Sequence, residues 1–305
     1  DPIRRWFGKS VLVLPILLCS ALIHAEASPI DDLRSDVERI ELAADGSGVV
    51  GLIVEHGVVS SFSTQPDLNA QTPFELASVG KVFTGVLLAI AVEDGLIALD
   101  DPIGPQLQRA TWMTAPPRPE TAAITYRQLA THQSGLPRLP PSMGTGSVMG
   151  VLRLVMNFRD PYAKYGFQQL ADDVANVHPN PEPEYEYSNF GMGLLGNLTA
   201  DLFGMSYCDA IQAKVTTPLN MDSLSCVDPP DLAVPHFGPF EWTPWHTKAI
   251  TGAGGLRGNA ADMGRFLTRM MTPQSTTQLD RALALTATNH ASKMGLGWLH
   301  SERKW

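Results

Sequence analysis

Cysteine, metal-ligand spacing and clustered positive charge are what this sequence has least of. Only three cysteines stand among its 305 residues. No Cys or His pair falls at zinc-finger spacing and no H-E-x-x-H occurs, so no metal is expected. There is no Lys/Arg-rich run, and the net charge is −9, which argues against nucleic acid as a partner. The chain shows no internal repeat, and it has no G-x-S-x-G turn of the kind that presents a triad serine. What remains is an ordinary globular composition, 44% hydrophobic and 17% charged, with enough length for one large core or two lobes. The 24 prolines and 26 glycines point to many ordered loops.

The one long apolar run, Val11 to Ile23, is too short for a comfortable membrane span. Arg4, Arg5 and Lys9 precede it, and Ala25-Glu26-Ala27 follows as a small-x-small cleavage site. Residues 1–27 therefore read as an export signal and 28–305 as the mature domain, the other reading being an uncleaved anchor, the only membrane contact expected. Leu18 is too large to precede a lipoprotein Cys19. A periplasmic or secreted location follows. Cys208 and Cys226 would then meet an oxidising compartment, either bridged or as two buried thiols.

The apolar spacing predicts an amphipathic helix over Asp31 to Ala43 and a hairpin of Val49 to Glu55 with Val58 to Phe62, turning at His56-Gly57. Helices are expected from Val82 to Val92, closed by Gly95, and from Ile124. Others are expected over Val148 to Phe158, Gln168 to Val177, Phe190 to Phe203, Ser206 to Val215, Ala260 to Met271 and Gln274 to Ala287. Gly295 to His300 reads as the start of a strand. Strands at both ends with helices between imply an α+β fold: an antiparallel sheet from the chain termini, flanked by helices, plus an inserted helical lobe.

Two short patterns carry chemistry. Ser78-Val79-Gly80-Lys81 places serine and lysine one helical turn apart at the start of an apolar helix. A neutral lysine there can take the serine's proton, and the helix dipole favours the alkoxide. The bland reading is an N-cap serine and a surface lysine. Ser301-Glu302-Arg303-Lys304 repeats the spacing with no apolar helix behind it and is read as coincidence. The second pattern, Tyr187-Ser188-Asn189, opens a glycine-rich helix after a proline-rich approach. Its tyrosine can share a proton with a serine or leaving group, and its asparagine can hydrogen-bond the lysine and a substrate amide. The bland reading is a packed aromatic with Asn189 as N-cap.

Together these patterns resemble the class-C-like β-lactamase and penicillin-binding serine hydrolase family. The resemblance runs from about Leu68 to Leu299 and keeps the family's order. It covers Thr72 to Lys81, Asp100-Asp101-Pro102, Leu129 to Pro137, Tyr187-Ser188-Asn189, Pro218 to Met221, Gly254-Gly255-Leu256 with Asp262, and Gly295 to Trp298. It implies Ser78 as nucleophile, Lys81 and Tyr187 as a shared acid/base, and Asn189 positioning Lys81 and the substrate. The Ser78 backbone N–H would give half of an oxyanion hole. It implies no cofactor. In the family the His132 segment shapes a loop, so His132 is not expected to act directly, and Asp262 is expected to cap a helix.

The family's third box, K-T-G or H-x-G on a strand, is not found. His236-Phe237-Gly238 mimics it but comes too early in the order. The resemblance therefore implies a box and closing strands beyond Trp305, without which a sheet edge would be left unpaired. The expected function is an exported, monomeric serine hydrolase acting on D-alanyl-D-alanine peptides of the cell wall or on β-lactams. Leu129 to Pro137 and the central Ser188 lean toward the peptidase and esterase branches. An esterase, or a catalytically silent penicillin-binding sensor, is the alternative.

Overall fold

The computed structural model describes residues 29–43, 48–143, 160–182, 184–237, 240–272, 277–291 and 293–300. The export-signal segment, the helix expected over Val148 to Phe158 and the second S-x-x-K lie outside the described residues.

The N-terminal layer is a hairpin between two helices. Helix α1 (Pro29–Ala43) lays Leu33 and Val37 against Gly51 of strand β1 (Val50–Glu55). Strand β2 (Val58–Ser63) pairs antiparallel with β1, from Val50↔Ser63 to Glu55↔Val58. The turn is the expected His56-Gly57, both at positive φ (49° and 81°), which matches the strand twist of a two-residue hairpin. Leu52, on the opposite face from Gly51, meets Gly264 of a later helix, so both faces are covered.

Strand β3 (Pro73–Glu75) leads into a 3₁₀ turn, Ala77–Val79, and then helix α2 (Gly80–Glu93). Every residue of α2 from Gly80 to Ala91 is buried, as expected of a helix apolar all round. It ends as the sequence predicts: Gly95, at φ 70°, donates its N–H to Val92 O, and Leu96 donates to Ala91 O. Helix α3 (Tyr126–Ala130) starts on a reciprocal cap between Thr125 and Gln128.

Helix α4 (Phe167–Asn176) precedes helix α5 (Asn189–Leu202), whose N-cap is Ser188 rather than Asn189. Helix α6 (Tyr207–Ile211) continues into a π-helical turn, Gln212–Thr216. Cys208 on α6 is bridged to Cys226, with Cα atoms 5.9 Å apart, which resolves the two readings of these cysteines. Two short strands, β4 (His236–Phe237) and β5 (Phe240–Glu241), pair with each other. Strand β6 (Arg257–Asn259) pairs antiparallel with β3. Helix α7 (Ala260–Met271) is capped by Asn259, which accepts from Asp262 N–H, and helix α8 (Gln278–Ala287) is capped by Thr277.

The architecture is mixed α and β, dominated by helices. Two expectations are corrected. Gly295 to His300 is not a strand: Met294 forms isolated bridges to Ala291 and Leu299. Two of the segment's backbone bonds go to helices, Leu296 N–H to Thr286 O and Gly297 N–H to Ala130 O, and two close a local turn, Gly295 N–H to Trp298 O and His300 N–H to Lys293 O. Gly297 sits at φ 77°, and a Cβ there would lie 2.3 Å from Lys81 O, so the chain curls tightly over the start of α2. Accordingly, among the described residues the sheet holding β1 has only β2 as partner, and no C-terminal segment joins it. No helix among the described residues is long and apolar enough to cross a membrane.

Candidate active site

The pairing of β3 with β6 sets the site. Register Glu75↔Arg257 and the bond from Leu76 N–H to Leu256 O fix where the chain leaves β3. Ala77 then takes φ 44°, a left-handed turn at a non-glycine residue. Gly254 lies against it at φ 156°, where a Cβ would sit 2.8 Å from Ala77 O. The turn pushes Ser78 out to solvent while Lys81, three residues on, is only 2% exposed. Ser78 thus stands on the turn just before α2 rather than in the helix.

Three of the residues singled out in the sequence converge. The Lys81 Nζ lies 3.1 Å from Ser78 Oγ, and the Tyr187 hydroxyl donates to the same Oγ at 2.6 Å. Lys81 also donates to the backbone carbonyl of Ala253 at 2.5 Å and sits 4.7 Å from the centre of the Tyr187 ring. Burial, with a smaller contribution from the Arg138 charge, lowers the lysine pKa from its ordinary 10.5 to about 7. Burial raises the Tyr187 pKa, so its phenol keeps its proton at neutral pH. A serine oxygen is thereby flanked by a half-neutral amine and a protonated phenol.

Asn189 is the fourth expected residue; the described hydrogen bonds of Lys81 go to Ser78 and Ala253 and not to it. Its backbone N–H donates to Arg138 O, and its side chain hydrogen-bonds Tyr162. Its Oδ1 is buried with no partner, so an acceptor is left for a group the protein does not supply.

His132 is not among the described hydrogen-bond partners of Ser78, which are Lys81 and Tyr187. It is buried at φ 59°, with its Nδ1 accepting the Ser188 N–H at 3.1 Å. Burial first, then the charges of Lys81 and Arg138, push its pKa down to about 3, so it stays neutral. Its ring lies 4.6 Å from the Tyr187 ring, and its carbonyl accepts from Glu186 N–H. The loop that His132 shapes therefore holds the tyrosine's backbone and ring. Ser188 adds a tie by donating to Pro137 O at 2.7 Å. Asp262 is structural as expected, taking bonds from Ser223 and Arg265. His236 is exposed, its ring bonded to Val234 O.

The sequence reading missed the frame behind Ala253. Thr84 donates to Gly252 O at 2.7 Å and shares a 2.8 Å bond with the Tyr207 hydroxyl. Arg257 is 2% exposed and donates to Gly255 O, Trp245 O and Asp228, at 2.7, 2.7 and 2.6 Å. His246 bridges Asp228 and Asp160. Apart from the Gly255 and Trp245 carbonyls, 2 and 12 residues from Arg257, these partners lie 18 to 168 residues apart in sequence, and no local spacing announces them. Arg138, whose guanidinium lies 5.0 Å from the Tyr187 ring centre, was missed as well.

Comparison with known proteins adds the relationship. The family model described as Beta-lactamase matches residues 38–304. The D-alanyl-D-alanine-carboxypeptidase/endopeptidase AmpH of Escherichia coli (strain K12) is 26% identical over 337 aligned residues, covering 97% of this chain and 82% of the relative. The probable fimbrial assembly protein FimD, serogroup H1, of Dichelobacter nodosus is 27% identical, covering 95% and 69%. The crystal structure of a class C beta lactamase from Rhodobacter sphaeroides superposes with a TM-score of 0.66 at 25% identity, over 84% of this chain and 70% of that one.

Proposed function

Because the chain belongs to the beta-lactamase family, we propose that it is an exported serine hydrolase that works through an acyl-enzyme on Ser78. The observation that carries this reading is the convergence of Lys81 and Tyr187 on one exposed serine oxygen, at 3.1 and 2.6 Å. Neutral Lys81 spends an N–H on Ala253 O and turns its lone pair to the serine. Ser78 Oγ attacks the substrate carbonyl carbon, and its proton passes to Lys81 Nζ. The Ser78 backbone N–H faces the developing oxyanion. Tyr187 gives its proton to the leaving nitrogen or oxygen as the scissile bond breaks, and regains one from Lys81. Water then attacks the ester by the reverse relay, releasing the acid and restoring Ser78. The unpaired Asn189 Oδ1 suits a substrate amide N–H.

The substrates favoured are cell-wall D-alanyl-D-alanine peptides or β-lactams, since the AmpH relative is similar over nearly the whole chain. An ester hydrolase uses the same machinery. A catalytically silent penicillin-binding sensor is the other reading, and the FimD relative, whose name is not an enzyme's, gives it some footing. The Cys208–Cys226 bridge supports an extracytoplasmic site, periplasmic or secreted. The test is turnover of a D-Ala-D-Ala peptide, nitrocefin and a fluorogenic ester, with mass spectrometry of the acylated protein. An acyl adduct on Ser78 that disappears in Ser78→Ala is expected. Undiminished hydrolysis by folded Ser78→Ala would refute the assignment; an adduct without turnover would favour the sensor.

A further inference from the structure

Resting on the reading of Lys81 as the base, we propose that Tyr207 is a positioning residue for it, acting through Thr84 and the backbone segment that Lys81 holds. Lys81 and Thr84 stand three residues apart on α2 and take consecutive carbonyls of one segment. Lys81 donates to Ala253 O at 2.5 Å and Thr84 to Gly252 O at 2.7 Å. The base and the hook for its acceptor thus share one helix face. Tyr207 lies behind the hook, its hydroxyl 2.8 Å from Thr84 Oγ1.

The direction of this chain follows from counting protons. A carbonyl only accepts, so the single hydroxyl proton of Thr84 goes to Gly252 O. The Tyr207 hydroxyl is then the donor to Thr84 Oγ1. Burial raises the Tyr207 pKa, so that proton stays on the phenol. A hydroxyl that receives a bond donates more strongly. Thr84 needs the help, because a helical threonine readily turns its proton to the carbonyl four residues back. Thr216, Thr268 and Thr272 do so in this chain, to Gln212 O, Gly264 O and Thr268 O. Thr84 instead reaches across to another segment, and Tyr207 is the second partner that keeps it there.

The glycine-rich start of α5 serves the same arrangement. A Cβ at Gly196 would lie 3.0 Å from the Tyr207 ring and 3.2 Å from Gly252 Cα, and one at Gly193 would lie 2.3 Å from Ile250 Cβ. Side chains there would push off the segment that presents Ala253 O, and at 196 the phenol as well. Without the Tyr207 hydroxyl, Thr84 turns back to its own helix, Gly252 O is released, and Ala253 O is no longer held against Lys81. An ammonium loses more than an amine when a carbonyl acceptor recedes, so the lysine holds its proton less tightly and its lone pair is less well aimed at Ser78. The other titratable groups that bear on Lys81, namely Arg138, Tyr187 and His132, are untouched by substitutions at 84 and 207.

The test is an NMR titration of protein carrying isotope-labelled lysine, with the Lys81 signal identified by its loss in Lys81→Met. The wild-type midpoint is expected at about 7. Tyr207→Phe and Thr84→Val should lower it by about half a pH unit, whereas Thr84→Ser, which keeps the hydroxyl, should stay close to the wild type. The plateau rate of labelling by a fluorescent penicillin should fall about tenfold in the same two variants and recover in Thr84→Ser. Thermal midpoints show which variants fold, and if Tyr207→Phe does not, the Thr84 pair decides. A Lys81 midpoint that stays put in folded Tyr207→Phe, or a Thr84→Ser protein as impaired as Thr84→Val, would overturn the proposal. The two readouts separate the two readings. Wild type that is never labelled, with a midpoint that moves in the variants, sinks the hydrolase reading alone. Labelled wild type with an unmoved midpoint sinks only the role of Tyr207.

Discussion

Replacing Lys81 with methionine should make this protein more stable while removing its acylation. The buried lysine pKa falls from 10.5 to about 7, and at roughly 1.36 kcal/mol per pKa unit the gap amounts to about 5 kcal/mol. Below about pH 7 the amine is charged in both folded and unfolded chains, and the folded chain bears that whole cost. Between about 7 and 10.5 the unfolded chain holds the extra proton, so stability rises with pH by about 1.4 kcal/mol per unit. Methionine has similar length and no charge, but it leaves the Ala253 carbonyl without its donor, a loss of about 2 kcal/mol. The net expectation is a gain of about 3 kcal/mol near pH 6, shrinking to about zero near pH 9. The assay is urea unfolding followed by the fluorescence of the six tryptophans, wild type and Lys81→Met side by side across that range. Other titrating groups cancel in the difference. A variant less stable than wild type near pH 6, or a gap that does not narrow toward pH 9, would refute the reasoning.

The same lysine sets the pH profile of acylation: the rate constant should fall about tenfold per pH unit below about 7 and level off above it, and a rate that drops on going from about pH 6 to 8 would exclude neutral Lys81 as the base. Tyr187→Phe should lower kcat/KM by about 10²–10⁴-fold with the thermal midpoint nearly unchanged, since it removes a proton donor and no packing. Arg257→Met leaves Asp228 its His246 partner but removes the guanidinium, and it frees the Gly255 and Trp245 carbonyls; unfolding should show a loss of about 3–5 kcal/mol. Cys208→Ser with Cys226→Ser opens a short loop, and denaturation should show a loss of about 2–4 kcal/mol.

What was legible in the sequence was what is local. The His56-Gly57 hairpin, the apolar run of α2 with its Gly95 end, and the Asn259 cap each depend on residues within a turn or two of one another. Ser78, Lys81 and Tyr187 were legible because a three-residue spacing and a motif order identified them, and the structure brings all three together. What failed was long-range. Gly295 to His300 has the composition of a strand, but its backbone finds partners on α3 and α8, and nothing in its own residues says so. Asn189 was expected beside the lysine; the second acceptor for Lys81 is instead a backbone carbonyl 172 residues away. A peptide oxygen has no letter in a sequence, and only the folding of the 250–257 segment against α2 reveals it.

That carbonyl has a consequence for how the site responds to mutation. A lysine oriented by a side chain loses its partner when that one residue changes. A lysine oriented by Ala253 O does not, because any residue at 253 whose side chain is tolerated there still offers the same oxygen. Sensitivity moves to the residues that aim the peptide: Thr84, which holds Gly252 O, Arg257, which holds Gly255 O, and Gly254, which leaves no room for a Cβ. A saturation screen scored by activity would pass lightly over the residue that supplies the contact and mark its neighbours. The map of essential positions would then outline the support of the base rather than the base's own partner.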